Sequence, residues 1–403
     1  MEGDEAPEGE ALLVLGAGPA QLGLLAAARA RGLFVIAVDR DPRAPGFAYA
    51  DRRALLSTED ESAVERLARS ERIAGVIAPG TDWPVKVAAR LADHLRLPHP
   101  ISPASAALAV SKLRQRQRFD EARVPQPRWR SVGRDDSTAG LSVPAVVKAP
   151  DRQGQRGLSL VMRGMGLPDA VAQAQTASRA GTALVEELVE GPEVTVNAFS
   201  VDGVFHPLTV TDREIGRPPA FGVALAHVWP SRHADERAVE VARRAAEALG
   251  IENGPTYTQL RLGWDGPRVI ELAARLGGGH DAELCRAALG VDLNALAIAA
   301  ALGEPVEPPR PEPQVAGAVT RFLVPPEGRL VATHGEGEAR AVEGVVDVRL
   351  YRSPGHEFGA FRTGSDRAGA VIAVGPSREE APARARRAAD LIRFEVTDAE
   401  ALL

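Results

Sequence analysis

Three lysines stand among the 48 lysines and arginines of this 403-residue chain: Lys86, Lys112 and Lys148. Where nearly every cation is an arginine, a retained ammonium marks a place that guanidinium cannot fill. An ammonium is a compact point charge suited to a single phosphate oxygen, whereas guanidinium prefers a planar, two-pronged partner. Lys112 opens the stretch Ser111-Lys112-Leu113-Arg114. Lys148 closes the β-like run Val143-Pro144-Ala145-Val146-Val147-Lys148, just before a loop over residues 151–159 that carries Gly154, Gly157 and Ser159. Two ordinary surface cations are the plain alternative; a cradle for phosphates is the sharper one.

A second constellation lies downstream. Glu186-Glu187-Leu188-Val189-Glu190-Gly191-Pro192-Glu193 joins two β-like runs through a short linker. Such a hinge can offer backbone groups to an adenine edge, and Glu193 can accept hydrogen bonds from ribose hydroxyls. Further on, strands are expected at Thr256–Leu262 and Arg268–Leu272 around the turn Gly263-Trp264-Asp265-Gly266. Antiparallel pairing about that turn would bring Gln259 and Glu271 onto one face. Oxygen donors placed so suit Mg²⁺, which takes one or two carboxylates and fills its shell with phosphates and water.

A rival motif sits near the start. Gly16-Ala17-Gly18-Pro19-Ala20-Gln21 follows a strand pattern and precedes a helix pattern, and Asp39 ends the next strand, 21 residues after Gly18. That is close to the dinucleotide fingerprint, but Gln21 stands where the third glycine belongs. A glycine-rich βα turn in a substrate-facing domain is the reading preferred over a dinucleotide oxidoreductase.

The elements that must position these residues change character along the chain. Strands are expected at Ala11–Leu15, Leu33–Val38 and Ala74–Ala78, with helices at Ala20–Arg31, Glu61–Arg69 and Val85–Leu95; this alternation implies a parallel sheet. From Pro125 longer β-like runs follow: Ala183–Glu187, Glu193–Phe199 and Val204–Val210, then a helix over Asp235–Leu249. Proline-rich 304–313 reads as a linker. Short strands at Ala316–Leu323 and Val345–Leu350, and a helix over Arg378–Ile392, complete the pattern.

Composition narrows the class. A net charge of −6 and no basic block interleaved with aromatics argue against a nucleic-acid partner. The single Cys285 excludes a disulfide within the chain and fits a reducing compartment. No apolar run reaches the roughly 18–20 residues of a membrane span. Residues 1–10 read as a frayed, acidic tail. A cytoplasmic protein without a membrane partner is expected. The eight histidines show no zinc spacing.

In this order the motifs resemble the ATP-grasp superfamily of carboxylate–amine ligases, most closely L-amino-acid ligases and the biotin carboxylase–carbamoyl-phosphate synthetase branch. The resemblance implies an α/β and α+β architecture. A Rossmann-like pre-ATP-grasp domain would span 11–103, a two-lobed ATP-grasp domain 104–305 and a small C-terminal α+β domain 306–403. It implies that Lys112 and Lys148 contact ATP phosphates beneath a flexible loop carrying Gly154, Gly157 and Ser159. Glu186, Glu187 and Val189 would form the adenine hinge, and Glu193 would bind ribose. Gln259 and Glu271 would hold Mg²⁺, with Mn²⁺ as a substitute. Arg275, with Lys148, would serve catalysis, and His227 and Gly278 would lie on the substrate side. The family pattern places Asn two residues after the Glu271 position, where this chain has Ala273. A methyl group cannot ligate a cation, so water, Asp281 or phosphate would have to complete the shell.

The implied activity forms an amide through an acyl-phosphate, converting ATP to ADP and phosphate. Its substrates would be a small carboxylate and a small amine, and a homodimer stays open. A carboxylase or phosphoribosylamine–glycine-type ligase, and an ATP-binding protein that has lost catalysis, remain as alternatives.

Overall fold

A computed structural model of the chain describes residues 10–233 and 235–397. Of the tail expected over residues 1–10, all but Glu10 lies outside the described residues.

Ala11–Leu15 is an inner strand of a four-stranded parallel sheet ordered Arg52–Ala54, Phe34–Val38, Ala11–Leu15, Gly75–Ile77. Its side chains feed two cores in alternation. Leu13 and Leu15 join Val76, Val196 and Leu272; Leu12 and Val14 join Leu25, Phe199 and Leu284. A strand covered on both faces has no polar face, which is why five apolar residues run unbroken. Each buried leucine contributes roughly 1.5–3 kcal/mol.

The helix expected from Ala20 begins later, as Leu22–Ala30 behind a 3₁₀ turn at Pro19–Gln21. Gln21 turns inward, and its Nε2 donates to the Pro79 carbonyl at 2.6 Å. That bond ties the first βα turn to the loop after Gly75–Ile77.

A four-stranded antiparallel sheet forms a separate lobe: Trp129–Val132, Ala183–Glu187, Ala145–Lys148, Ser159–Val161, with helix Leu167–Ala177 against it. The remaining mass is organised by an eight-stranded antiparallel sheet. Its order is Gly266–Ala273, Gly254–Gly263, Glu193–Val201, Val204–Ile215, Ala224–Trp229, Gly317–Leu323, Gly369–Gly375, Val345–Leu350. The sheet therefore runs unbroken from the hairpin carrying Gln259 and Glu271 into the last ninety residues. A three-stranded sheet, Glu357–Phe358, Gly328–His334 and Arg393–Thr397, caps the end.

Proline-rich 304–313 forms no strand or helix, but Glu312 and Gln314 donate to the carbonyls of Leu289 and Ala288, at 3.1 and 2.8 Å. Among the described residues no single helix is long and apolar enough to cross a membrane.

Candidate active site

Two clefts meet at the loop after Lys148. The first, about 780 Å³ including its open side, has Lys112, Lys148, Glu186, Val189, Gln259 and Glu271 on its walls. Lys112 is the first residue of helix Lys112–Glu121, capped by the Ser111 hydroxyl. Its Nζ lies 2.6 Å from Glu271 Oε1 and donates to the Arg152 carbonyl at 2.9 Å. Burial disfavours its charge, yet Glu271 and Asp82 outweigh burial and hold the ammonium above the usual lysine range. Lys148 ends its strand with Nζ 2.7 Å from Glu186 Oε2. Arg116 holds the other oxygen of the same carboxylate at 2.7 Å, and all three groups are buried. Burial first, then Arg116, pushes Lys148 below the usual range.

Arg116 was not singled out from the sequence, although a signal was present: it falls four residues after Lys112, on the same helix face. It also donates to the carbonyls of Val269 and Ile270, at 3.0 and 2.6 Å, so one guanidinium locks the hinge carboxylate to the strand bearing Glu271.

The hinge leaves strand Ala183–Glu187 and enters strand Glu193–Val201. A Cβ on Gly191, at φ +139°, would lie 2.0 Å from the Leu262 carbonyl oxygen, so only glycine allows this approach. Glu187 turns outward to Arg128 at 2.6 Å and Arg268 at 3.2 Å. The Glu193 carboxylate, expected to be free for hydroxyls, is held by Arg213 and by Arg261 at 3.1 Å. Both arginines escaped sequence reasoning, since only folding brings strands Val204–Ile215 and Gly254–Gly263 to either side of Glu193.

Gln259 and Glu271 are direct cross-strand partners and share the cleft. Ala273, two residues on, is buried opposite Tyr257. Asp281 does not complete the set. His227 at 3.1 Å, Asn197 at 3.4 Å and the Gly279 amide at 3.1 Å engage its carboxylate. Among the described residues no three His, Cys, Asp or Glu side chains converge as a metal cage. Two protein oxygens on one face fit an ion such as Mg²⁺ that draws most of its shell from phosphates and water.

The loop over 151–159 is docked. Gln153 accepts from the Asp82 amide at 2.5 Å, and Gln155 accepts from the Gly364 amide at 3.2 Å. Gly154 borders both clefts, whereas Gly157 backs onto Ala177 and Ala149, and Ser159 is paired with Val147 in its sheet.

The second cleft, about 2090 Å³ with its open side, lies between the parallel sheet, this loop and the C-terminal residues 351–367. Gly16, Gly18 and Gly278 line it. Asp39 bonds back to the amides of Ala17 and Asp41, each at 3.0 Å, which closes the glycine turn on itself instead of leaving an acid for a ribose. Arg275, expected to serve catalysis, lines neither cleft: it lies behind Asp82, which it contacts at 2.7 Å, and donates to the Leu276 carbonyl at 2.8 Å.

His227 lines neither cleft. It is buried beneath the glycine run, paired with Asp281, where a Cβ on Gly279 would meet its ring at 3.0 Å. Burial would raise the Asp281 carboxyl, but the His227 contact and the hydrogen bonds from Gly279 and Asn197 bring it to about 2. Burial likewise raises the Cys285 thiol to about 12, which makes it a poor nucleophile.

His280 is buried at the N-terminus of helix Asp281–Leu289, and burial lowers its imidazole from 6.5 to about 4. The unfolded chain then binds this proton near pH 6.5 and the folded one only near pH 4. Stability is therefore complete above pH 6.5 and is lost on acidification towards 4, by on the order of 3 kcal/mol. Denaturant titrations at pH 7 and pH 4.5 should show that loss in the wild type and a clearly smaller one in His280→Gln. Equal losses would refute it. The Asp281 window, between its ordinary carboxylate range and about 2, lies lower.

The L-amino acid ligase C-terminal domain 2 family matches residues 321–397. A Sinorhizobium fredii protein known as y4rH is 32% identical over 343 residues, which is 82% of this chain and 70% of that one. Carnosine synthase 1 of Gallus gallus is 31% identical over 359 residues, 80% of this chain but 38% of that enzyme. The crystal structure of an L-amino acid ligase from Bacillus licheniformis has the same fold, with a TM-score of 0.82 at 22% identity over 97% of this chain and 100% of that one. So does the biotin carboxylase domain of the 2-oxoglutarate carboxylase of Hydrogenobacter thermophilus, solved with MgADP and bicarbonate. Its TM-score is 0.79 at 18% identity, over 96% of this chain and 90% of that one.

Proposed function

This chain belongs to the ATP-grasp superfamily of ligases, and from that premise we propose that it joins a small carboxylate to a small amine at the expense of ATP. We divide the work among residues 11–103, 104–305 and 306–403. One observation carries the reading: two of the chain's three lysines converge in one cleft, each on a carboxylate borne by a strand. The relatives named for carnosine and for L-amino acids support an amide product.

The reaction would run in two steps. The substrate carboxylate attacks the γ-phosphate of ATP, giving an acyl-phosphate and ADP; the amine then displaces phosphate. Such transfer depends on positioning and charge neutralisation more than on covalent chemistry from the protein. Lys148 and Lys112 would turn from Glu186 and Glu271 towards phosphate oxygens. The backbone of 187–189 would meet the adenine edge. Mg²⁺ held by Glu271 and Gln259 would supply charge neutralisation between phosphates. Arg275, steadied by Asp82, would receive the carboxylate, and the docked loop would exclude water from the activated acid.

ADP release across pairs of amino acids, with bicarbonate and formate as further acids, tests this. Release with an amino-acid pair is expected. Release with bicarbonate alone would replace it with the carboxylase reading, and release with glycine only when phosphoribosylamine is the amine would replace it with the phosphoribosylamine–glycine-type reading. ATP binding without release in any mixture would leave an ATP-binding protein, the reading that Ala273 favours. NADH should bind far more weakly than ATP, since Asp39 is already engaged.

The loop should act as a lid. It contacts the parallel-sheet domain through Gln153 and the C-terminal residues through Gln155, while Arg156 is exposed. Tryptic cleavage after Arg156 should slow several-fold on adding Mg-ATP. Equal rates with and without nucleotide would rule the lid out.

A further inference from the structure

The lobe over 129–187 has an apolar core of its own, drawn from residues between Val132 and Val185 alone. It also shares no strand with the other sheets. Beyond its two chain connections, its seat against the parallel-sheet domain depends on polar bridges, and two of these gather at one margin of the larger cleft.

Arg179 makes the first, from the turn between helix Leu167–Ala177 and strand Ala183–Glu187. Its guanidinium carbon lies 3.9 Å from the centre of the Trp83 ring, and its Nη2 donates to Glu59 at 2.6 Å. Trp83 packs against the core beneath the parallel sheet, so the ring is a fixed platform. Lys86, one turn on in the same helix, already lies 4.8 Å from that ring. The Glu59 carboxylate offsets the charge of the second cation that joins it. A planar guanidinium can stack on an aromatic face and present an edge donor to a carboxylate at the same time, which an ammonium cannot.

Gln153 makes the second bridge. Asp82 is the first residue of helix Asp82–Leu95, where an amide has no acceptor inside the helix. The lobe supplies one, Gln153 Oε1 at 2.5 Å. Trp83 follows Asp82 directly, so both bridges meet one helix end. They are also joined within the lobe. Arg152 Nε donates to the Ala177 carbonyl at 2.6 Å, and Asp151 accepts from the Ser178 hydroxyl and the Ala180 amide, at 3.2 and 3.1 Å. The 151–159 loop and the turn bearing Arg179 are thus fastened to each other, and a grip on one is a grip on both.

We propose that Arg179, seated on Trp83 and Glu59, is a latch: it holds the lobe shut on the parallel-sheet domain before any nucleotide arrives and sets the position of the 151–159 loop. Entry to the cleft then requires the latch to release. The Arg179 and Glu59 side chains are 28% and 40% exposed, so salt screens their attraction and loosens the lobe. The latch itself does not rest on the ligase reading; its consequence for the reaction does. There a loosened lobe admits water, which attacks the acyl-phosphate and returns it to carboxylate and phosphate.

Hydrogen exchange in the nucleotide-free protein reads the latch directly, with the Asp82 amide as reporter because its acceptor belongs to the lobe. Arg179→Ser and Glu59→Gln should each speed exchange of that amide and of 151–159 by about fivefold or more, while Ala11–Leu15 exchanges as in wild type. Sodium chloride at about 0.5 M should do the same to the wild type and add little in Glu59→Gln. Glu59 lies at the surface, so its variant decides the matter even where Arg179→Ser fails to fold. Wild-type exchange in Glu59→Gln, or an increase shared equally by Ala11–Leu15, overturns the proposal. With ATP and the acid but no amine, Glu59→Gln should release ADP several-fold faster than wild type, and equal release would overturn the latch's part in the reaction. No release from either protein with any acid or amine removes the ligase reading, and the exchange result still decides the latch.

Discussion

Lys148→Arg should lower ATP turnover by 100-fold or more at saturating ATP, about 3 kcal/mol of transition-state stabilisation. The ammonium sits 2.7 Å from Glu186 Oε2, with Arg116 on the other oxygen. A forked guanidinium there would crowd Arg116 and could not present one compact charge to a phosphate oxygen without displacing it. Lys86→Arg is the control: Lys86 stacks 4.8 Å from the Trp83 ring, away from this carboxylate, and should change turnover less than twofold. Because Lys148 is half of a buried ion pair, thermal unfolding must be measured beside kinetics. A variant that is folded and turns over at the wild-type rate would reduce the lysine to a structural role.

Glu271→Gln should lose turnover by about 1,000-fold or more, on the order of 4 kcal/mol. The substitution keeps the shape of the side chain and its strand pairing with Gln259. It removes the carboxylate that Lys112 contacts at 2.6 Å and that faces the cleft as the cross-strand partner of Gln259. Ala273 offers no ligand in its place. ATP binding measured by calorimetry should survive, so the loss would appear in turnover rather than in folding. Turnover within tenfold of wild type would mean that Glu271 holds no metal needed for the chemistry.

Much of the frame could be read from residue order. Ala11–Leu15 announced itself because burial on both faces leaves an unbroken apolar run, and Ala183–Glu187 because its ends are sharp. Val204–Ile215 was expected to stop at Val210, since Thr211-Asp212-Arg213-Glu214 looks like surface; in fact Thr211 and Asp212 are buried. Leu293–Ala301 is apolar all round and shows no helical period, so it went unseen. The strand Arg393–Thr397 went unseen because its alternation, Arg393-Phe394-Glu395-Val396-Thr397, is only five residues long.

Around the candidate site, residue types marked by scarcity or by glycine were legible: Lys112, Lys148, the loop and the Gln259–Glu271 pair. What stayed hidden were partners set by long-range folding. Arg116 meets Glu186 across 70 positions and Arg275 meets Asp82 across 193. The resemblance put His227 on the substrate side, and a strand pattern does not say which face is covered.

The strand Ala224–Trp229 gives one edge to Val204–Ile215 and the other to Gly317–Leu323. A chain built this way cannot trade its last ninety residues with a relative as a cassette. A break there would bare two rows of amides and carbonyls and leave each half with an unpaired edge. The lobe over 129–187 shares no strand with that sheet, so a graft with joints before Trp129 and after Glu187 cuts no ladder. Recombination among such chains would shuffle lids freely and pass on the rest as one inheritance.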